Sequence, residues 1–204
     1  MRIIGITGPT GAGKSTLLKE AERLGGLVID CDAVYARLLK ESETLRSTLE
    51  GRFGPVFSPD GELDRKKLST IVFADPTALE DLNQLTHSHV KSEVEGQLAQ
   101  ARKEGVPFAM VEAIALIESG LGDCCDAMVG ILAPRELRAS RLMAREGMDE
   151  ESARRRMDAQ KPDAFFLENC DHILRNEGDR AAFSQQVQNL LSALLNMDQG
   201  GYDL

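Results

Sequence analysis

Residues 5–18 read GITGPTGAGKSTLL, four glycines, a lysine and two adjacent hydroxyls set between apolar runs. Gly8, Gly13, Lys14 and Ser15 complete the spacing G-x-x-x-x-G-K-S of a phosphate-binding loop. Each residue type has a physical reason to be there. Glycines let successive backbone N–H groups turn toward an anion with no Cβ in the way. The helix expected at Ser15–Leu24 offers the positive end of its dipole to the same anion. Lys14 reaches β- and γ-phosphate oxygens, and the Ser15 hydroxyl is a ligand for Mg²⁺. The candidate phosphate cradle is thus Gly8, Gly11, Ala12, Gly13, Lys14, Ser15 and Thr16.

Arg2–Thr7, just before the loop, is β-branched and apolar and reads as a buried strand. Further strands are expected at Leu27–Ile29, Val106–Val111, Ala127–Leu132 and His172–Leu174, alternating with helical patterns. That alternation predicts an α/β fold with a five-stranded, mostly parallel sheet flanked by helices. Between the second and third strands, residues 33–105 carry helical periodicity only, at Leu63–Phe73 and along a long helix ending near Gly105. They read as a helical substrate-binding insertion. Residues 135–161 hold eight basic and six acidic residues in a chain of net charge −9, and read as an arginine-rich lid. The core is then expected at 1–32, 106–134 and 162–196, with a flexible tail at 197–204.

The global charge argues against a nucleic-acid or anionic-membrane partner, since both need a basic footprint. No apolar run reaches the length of a membrane span, and Cys31, Cys124, Cys125 and Cys170 lack metal or redox spacing. Reduced thiols in a cytoplasmic protein are the expectation, with the adjacent Cys124 and Cys125 read as packing residues.

Chemistry beyond holding phosphate needs an acceptor for a hydroxyl proton. Asp30 and Asp32 follow the second strand; at i and i+2 of an extended chain both carboxylates face one side. One of them could instead cap the next helix. Glu112 ends the third strand, and Glu118 follows six residues on. Arg141 and Arg145, and likewise Arg156 and Gln160, stand at i and i+4 and would share helix faces, as required to clamp a transferring phosphate and exclude water. His87 and His89, at i and i+2 of a helix, diverge too far to share a metal. Phe165-Phe166 reads as core or hinge packing. Gly11-x-Gly13-x-x-Thr16 half-matches a dinucleotide fingerprint, but Lys14 fills the place where a helix would close on a pyrophosphate.

The whole pattern resembles the dephospho-coenzyme A kinase family of phosphate-loop kinases. The segments that carry the resemblance are GPTGAGKST, VIDCDAV, FGPVFSPDGELDRKKLSTIVF, LTHSHV, IESGLGDCCDAMVGILAP, RLMAREGMDEESARRRMDAQ and HILRNEG. It implies ATP- and Mg²⁺-dependent phosphorylation of the ribose 3′-hydroxyl of dephospho-CoA. Asp32 would be the general base and a Mg²⁺ partner with Ser15. Lys14, Arg141, Arg145 and Arg156 would act on phosphate. Asn176 and Gly178 would form the adenine-side turn, and Asp30, His87, Glu112 and Gln160 would lie at the substrate. The chain departs from the usual pattern at Ser88, at Ala113–Ile117 and at Pro9-Thr10. A shikimate-kinase-like enzyme and a non-catalytic nucleotide switch are the alternative readings.

Overall fold

The computed structural model describes residues 1–196; the tail expected at 197–204 lies outside the described residues. In chain order the elements are β1 (Arg2–Thr7), α1 (Lys14–Arg23), β2 (Leu27–Asp30), α2 (Cys31–Glu41), α3 (Glu43–Phe53), α4 (Arg65–Ala74) and α5 (Pro76–Lys103). There follow β3 (Phe108–Glu112), a 3₁₀ turn (Leu121–Cys124), β4 (Ala127–Leu132), α6 (Arg135–Glu146), α7 (Glu150–Asp158), α8 (Asp163–Asn169), β5 (His172–Arg175) and α9 (Arg180–Asn196). Among the described residues the chain divides into two compact units, residues 1–28 with 102–196, and residues 29–101.

The sheet runs β2-β3-β1-β4-β5, so β1, the strand feeding the phosphate-type loop, is central. Its pairings with β3 and β4 are parallel, as is that of β4 with β5. A central parallel strand is covered on both faces, which is why β1 reads as an unbroken apolar run rather than an alternating one. In the first unit Ile4, Ile6, Phe108, Met110, Val129 and Ile131 of the sheet pack with Leu17 of α1 and Phe183, Val187 and Leu191 of α9. Emptying one of the larger sites, as in Phe108→Ala, costs about 3–5 kcal/mol.

Helix α1 is stopped by Gly25, whose φ of 80° suits the left-handed position that ends a helix. The N–H of Gly26 then donates to Ala21 O at 2.9 Å and that of Gly25 to Glu22 O at 3.0 Å. β3 begins at Phe108 rather than at Val106, because Pro107 has no N–H for a ladder and the pairing starts at Arg2 with Phe108. Residues 135–161 form two helices with a small apolar cluster of their own, Ala139 and Leu142 against Ala153 and Met157. Phe166 is buried, with its ring edge-on to that of Phe165.

The second unit is helical, and side chains fix where its helices start. Ser42 accepts from Leu45 N–H, and Asp64 from Lys67 N–H. Asp75 accepts from Thr77 N–H beside Pro76, the first residue of α5. Here a sequence expectation is corrected. β2 ends at Asp30 and α2 begins at Cys31, so Asp30 and Asp32 are not two residues of one strand. Asp30 is the N-cap of α2, its carboxylate accepting from Ala33 N–H at 3.0 Å, while Asp32 stands in the first helical turn, exposed. An aspartate at the end of a strand is also the best cap for a following helix, and local hydrogen bonding decided its geometry.

Candidate active site

The loop between β1 and α1 has a front and a back. At the front, α1 starts at Lys14 with no side-chain cap and no acidic residue in its first turn. The N–H groups of Lys14 and Ser15 therefore keep their donors and the positive end of the dipole for an external anion. Lys14 Nζ donates to Gly8 O at 2.9 Å and lies 3.4 Å from the buried carboxylate of Glu112 at the end of β3. A cation so held is paired but reachable, since its partners sit on the strand ends beside the loop.

At the back, three successive carbonyls are pinned from outside. Arg138 Nε donates to Thr10 O at 3.0 Å. Arg141 Nη1 donates to Gly11 O at 2.9 Å and to Ala12 O at 3.3 Å, and Asn176 Nδ2 donates to Ala12 O at 2.9 Å. A trans peptide carries its C=O and N–H on opposite sides. Pinning the Thr10 and Ala12 carbonyls outward therefore turns the N–H groups of Gly11 and Gly13 the other way, into the cradle. Asn176 comes so close that a Cβ on Gly13 would lie 2.3 Å from its Nδ2, and Gly13 has φ 110°. Only glycine satisfies both demands.

Arg141 completes the arrangement by donating Nη2 to Asn176 Oδ1 at 3.1 Å. Burial lowers the pKa of Arg138 and Arg141; for Arg138 the nearby Asp163 carboxylate works against that and Arg135 adds to it. Both guanidinium groups give most of these bonds to neutral acceptors, so their positive charge stays behind the loop, where it favours a polyanion. Asn176 and Gly178 follow β5. Beside them lies a cavity of about 530 Å³ whose lining includes Ala133, Arg135, Arg138, Lys161, Arg175 and Glu177.

Two of the expected arginines are placed elsewhere. Arg145 and Arg156 both pair with Glu146 on the surface. Arg141 therefore acts with Arg138, at i−3, and points away from the work of Arg145. Gln160 is not on the face of α7 with Arg156, because α7 ends at Asp158. Its side chain instead meets the loop at Thr10, with Oε1 accepting from Thr10 N–H at 3.1 Å. Thr16 N–H donates to Gly13 O at 3.1 Å, and Ser15 stands exposed in the first turn of α1. In the second unit, Asp30 and Asp32 lie at the start of α2 and His87 on α5, where His89 Nδ1 bonds Leu85 O at 2.8 Å.

Sequence reasoning passed over Arg138 and Thr10. Arg138 was one of eight basic residues in its segment. The signal available was its place on the face of α6 that carries Ala139 and Leu142, the buried one.

Among the described residues no group of three or more His, Cys, Asp or Glu side chains is arranged to hold a metal. Mg²⁺ arriving with a nucleotide does not require such a cage, because it keeps water and phosphate oxygens and takes only one or two protein ligands. The exposed Ser15 hydroxyl is a donor of the right, hard-oxygen kind. None of the helices among the described residues is long and apolar enough to cross a membrane.

A glycine loop backed by arginines, opening a helix after the central strand of a parallel sheet, defines a phosphate-loop nucleotide-binding fold. The profile of the dephospho-CoA kinase family matches residues 2–182. The chain belongs to that family, one of ATP-dependent kinases in coenzyme A biosynthesis. It is 35% identical over 194 residues to a dephospho-CoA kinase of Corynebacterium jeikeium, covering 95% of this chain and 100% of the relative. The solved dephospho-CoA kinase of Campylobacter jejuni superposes with a TM-score of 0.70 at 26% identity, over 97% of this chain and 100% of that one. Shikimate kinase from Acinetobacter baumannii is similar at a TM-score of 0.53 and 17% identity, over 96% and 94% of the two chains, a likeness of fold alone.

Proposed function

We propose that this chain moves the γ-phosphoryl group of ATP to the ribose 3′-hydroxyl of dephospho-CoA, with Mg²⁺ accompanying the nucleotide, in the cytoplasm. The observation that carries the residue assignment is the two-sided loop, with Lys14 between Gly8 O and Glu112 in front and the pinned carbonyls of Thr10, Gly11 and Ala12 behind.

In this reading the N–H groups of Gly11 and Gly13 to Ser15 hold the β-phosphate, that of Thr16 leaves Gly13 O to join them, and Gly8 and Ala12 shape the turn. Lys14 exchanges its contact with Gly8 O for β/γ-oxygens, and Glu112 keeps it in place. Arg141 supplies charge from behind the loop without touching the phosphate. Arg145 and Arg156 meet the transferring group after leaving Glu146. The cavity of about 530 Å³ takes the adenosine end, next to Asn176 and Gly178, and is of the size a nucleoside needs. Asp32, exposed at the start of α2, accepts the proton of the 3′-hydroxyl as the new O–P bond forms and ADP leaves. Asp30, His87 and the helices of residues 29–101 belong to the acceptor's side. Ser15 would be a ligand of Mg²⁺, which when bound would neutralise phosphate charge.

An acceptor panel tests the assignment. With ATP and Mg²⁺, turnover on dephospho-CoA should exceed that on adenosine, shikimate and water by at least about a hundredfold, and phosphorus NMR should find the product phosphate on the 3′-oxygen. Turnover on water alone, or a phosphate elsewhere, overturns it. Asp32→Asn should leave ATP affinity unchanged and lower kcat by about 10²- to 10⁴-fold; a loss of ATP binding with proportional residual turnover would remove Asp32 as the base.

A further inference from the structure

The chemistry of nucleotide binding does not account for Thr10. It is buried, 4% exposed. All three of its polar groups are met by two side chains from 128 and 150 residues away. Its N–H donates to Gln160 Oε1 at 3.1 Å, and its hydroxyl accepts from Gln160 Nε2 at 2.6 Å. Its carbonyl accepts from Arg138 Nε at 3.0 Å, while Arg138 Nη2 donates to Gln160 Oε1 at 3.1 Å.

These bonds form a closed ring that fixes the glutamine amide. Rotating it by half a turn would set its NH₂ against both the guanidinium and the Thr10 N–H, donor facing donor. The ring also ties two places together. Gln160 lies just beyond α7, at the end of the arginine-rich segment, with Pro162 leading directly into α8. If that stretch shifts, a buried N–H loses its acceptor, and such a loss is costly.

We propose that Thr10 and Gln160 form a positioning latch. Gln160 holds the Thr10 peptide in the orientation that a nucleoside triphosphate needs, and it does so without touching the acceptor substrate. The position of the end of the arginine-rich segment is thereby coupled to nucleotide binding. The identity of the nucleotide rests on the proposed function; the contacts do not.

The test is a set of four variants, each measured well below its own unfolding temperature. Binding of Mg²⁺-ATP is followed by calorimetric titration, and KM is determined separately for ATP and for dephospho-CoA. Gln160→Met keeps the length of the side chain and loses its hydrogen bonds. It should raise the Kd and KM for ATP about tenfold, with the KM for dephospho-CoA unchanged. Gln160→Glu keeps an oxygen for Thr10 N–H and Arg138 and offers another to the Thr10 hydroxyl, which can turn to donate. It should stay within about threefold of wild type. Thr10→Val should weaken ATP several-fold, and Thr10→Ser should restore it.

If Gln160 instead contacted an anionic substrate, Gln160→Glu would be the worse of the two variants. That order overturns the latch. So does a Gln160→Met protein with a lowered Tm but unchanged ATP affinity, or one in which both KM values rise together. Should Gln160→Met fail to fold, the Thr10 pair carries the same decision through the contrast between Val and Ser. A wild-type protein that binds ATP but leaves dephospho-CoA unphosphorylated would refute the proposed function and leave the latch to be judged by ATP affinity.

Discussion

Arg138 and Arg141 come from the same arginine-rich segment as Arg145 and Arg156, yet the two pairs live in different electrostatic worlds. The first pair is turned inward; the Arg138 side chain is 8% exposed and bonds mainly to loop carbonyls and an amide. The second pair is turned outward, with side chains 62% and 45% exposed, and both converge on Glu146. A guanidinium bonded to neutral acceptors keeps its field, whereas one paired with a carboxylate has spent it locally. Proximity in sequence, and even a shared helix, therefore says little about which arginine serves a polyanion.

That contrast can be calibrated and broken by substitution. Lys14 sets the scale, as the cation in front of the loop. Lys14→Ala should lower kcat by about 10²- to 10³-fold, and near-normal turnover in a steady-state assay would show that the loop is not where phosphate is transferred. Arg141→Lys keeps the charge but loses the fork that reaches Gly11, Ala12 and Asn176 together. Its KM for ATP should rise about tenfold. An unchanged value would mean that the charge alone matters and the pins do not.

Arg156→Lys should have a smaller effect, a reduction in kcat of about three- to tenfold. Its unfolding free energy should change by no more than about 1 kcal/mol, as expected for an exposed pair. Unchanged kinetics would leave Arg156 as part of the surface network only.

The smallest effect concerns Glu146. Its carboxyl lies below the ordinary value of 4.5, first through the hydrogen bond from Arg145 and further through the charge of Arg156, against an opposing effect of burial. A lowered folded-state pKa stabilises the fold above the ordinary carboxylate range and ceases to do so as the pH falls through the folded value. The difference in Tm between wild type and Glu146→Gln should accordingly be slight near neutrality and shrink further below pH 4.5. A difference that grows toward acid would reverse the assigned sign.

The loop, the strand before it and the helix after it were legible in the sequence because they are contiguous. Glycine spacing, a β-branched run and helical periodicity are local properties, and β1 and β4 fall where they were expected. The family resemblance was legible for a related reason, through segments strung in order along the chain. Asp30 and Asp32 were misread in geometry though not in position. The strand stops at the first of them because its carboxylate satisfies a helix N–H, a choice between two local hydrogen-bonding schemes that residue types alone leave open.

By itself, then, the sequence determined a phosphate-loop spacing after the first strand and a kinase-like order of elements. Tertiary structure alone decided what stands behind that loop. Thr10 meets Arg138 and Gln160 across separations of 128 and 150 residues, and Asn176 meets Ala12 across 164. Propensity and periodicity have no reach at such distances. Only the packing of α6 and the turn after β5 against the loop selects which arginine, glutamine and asparagine will hold it.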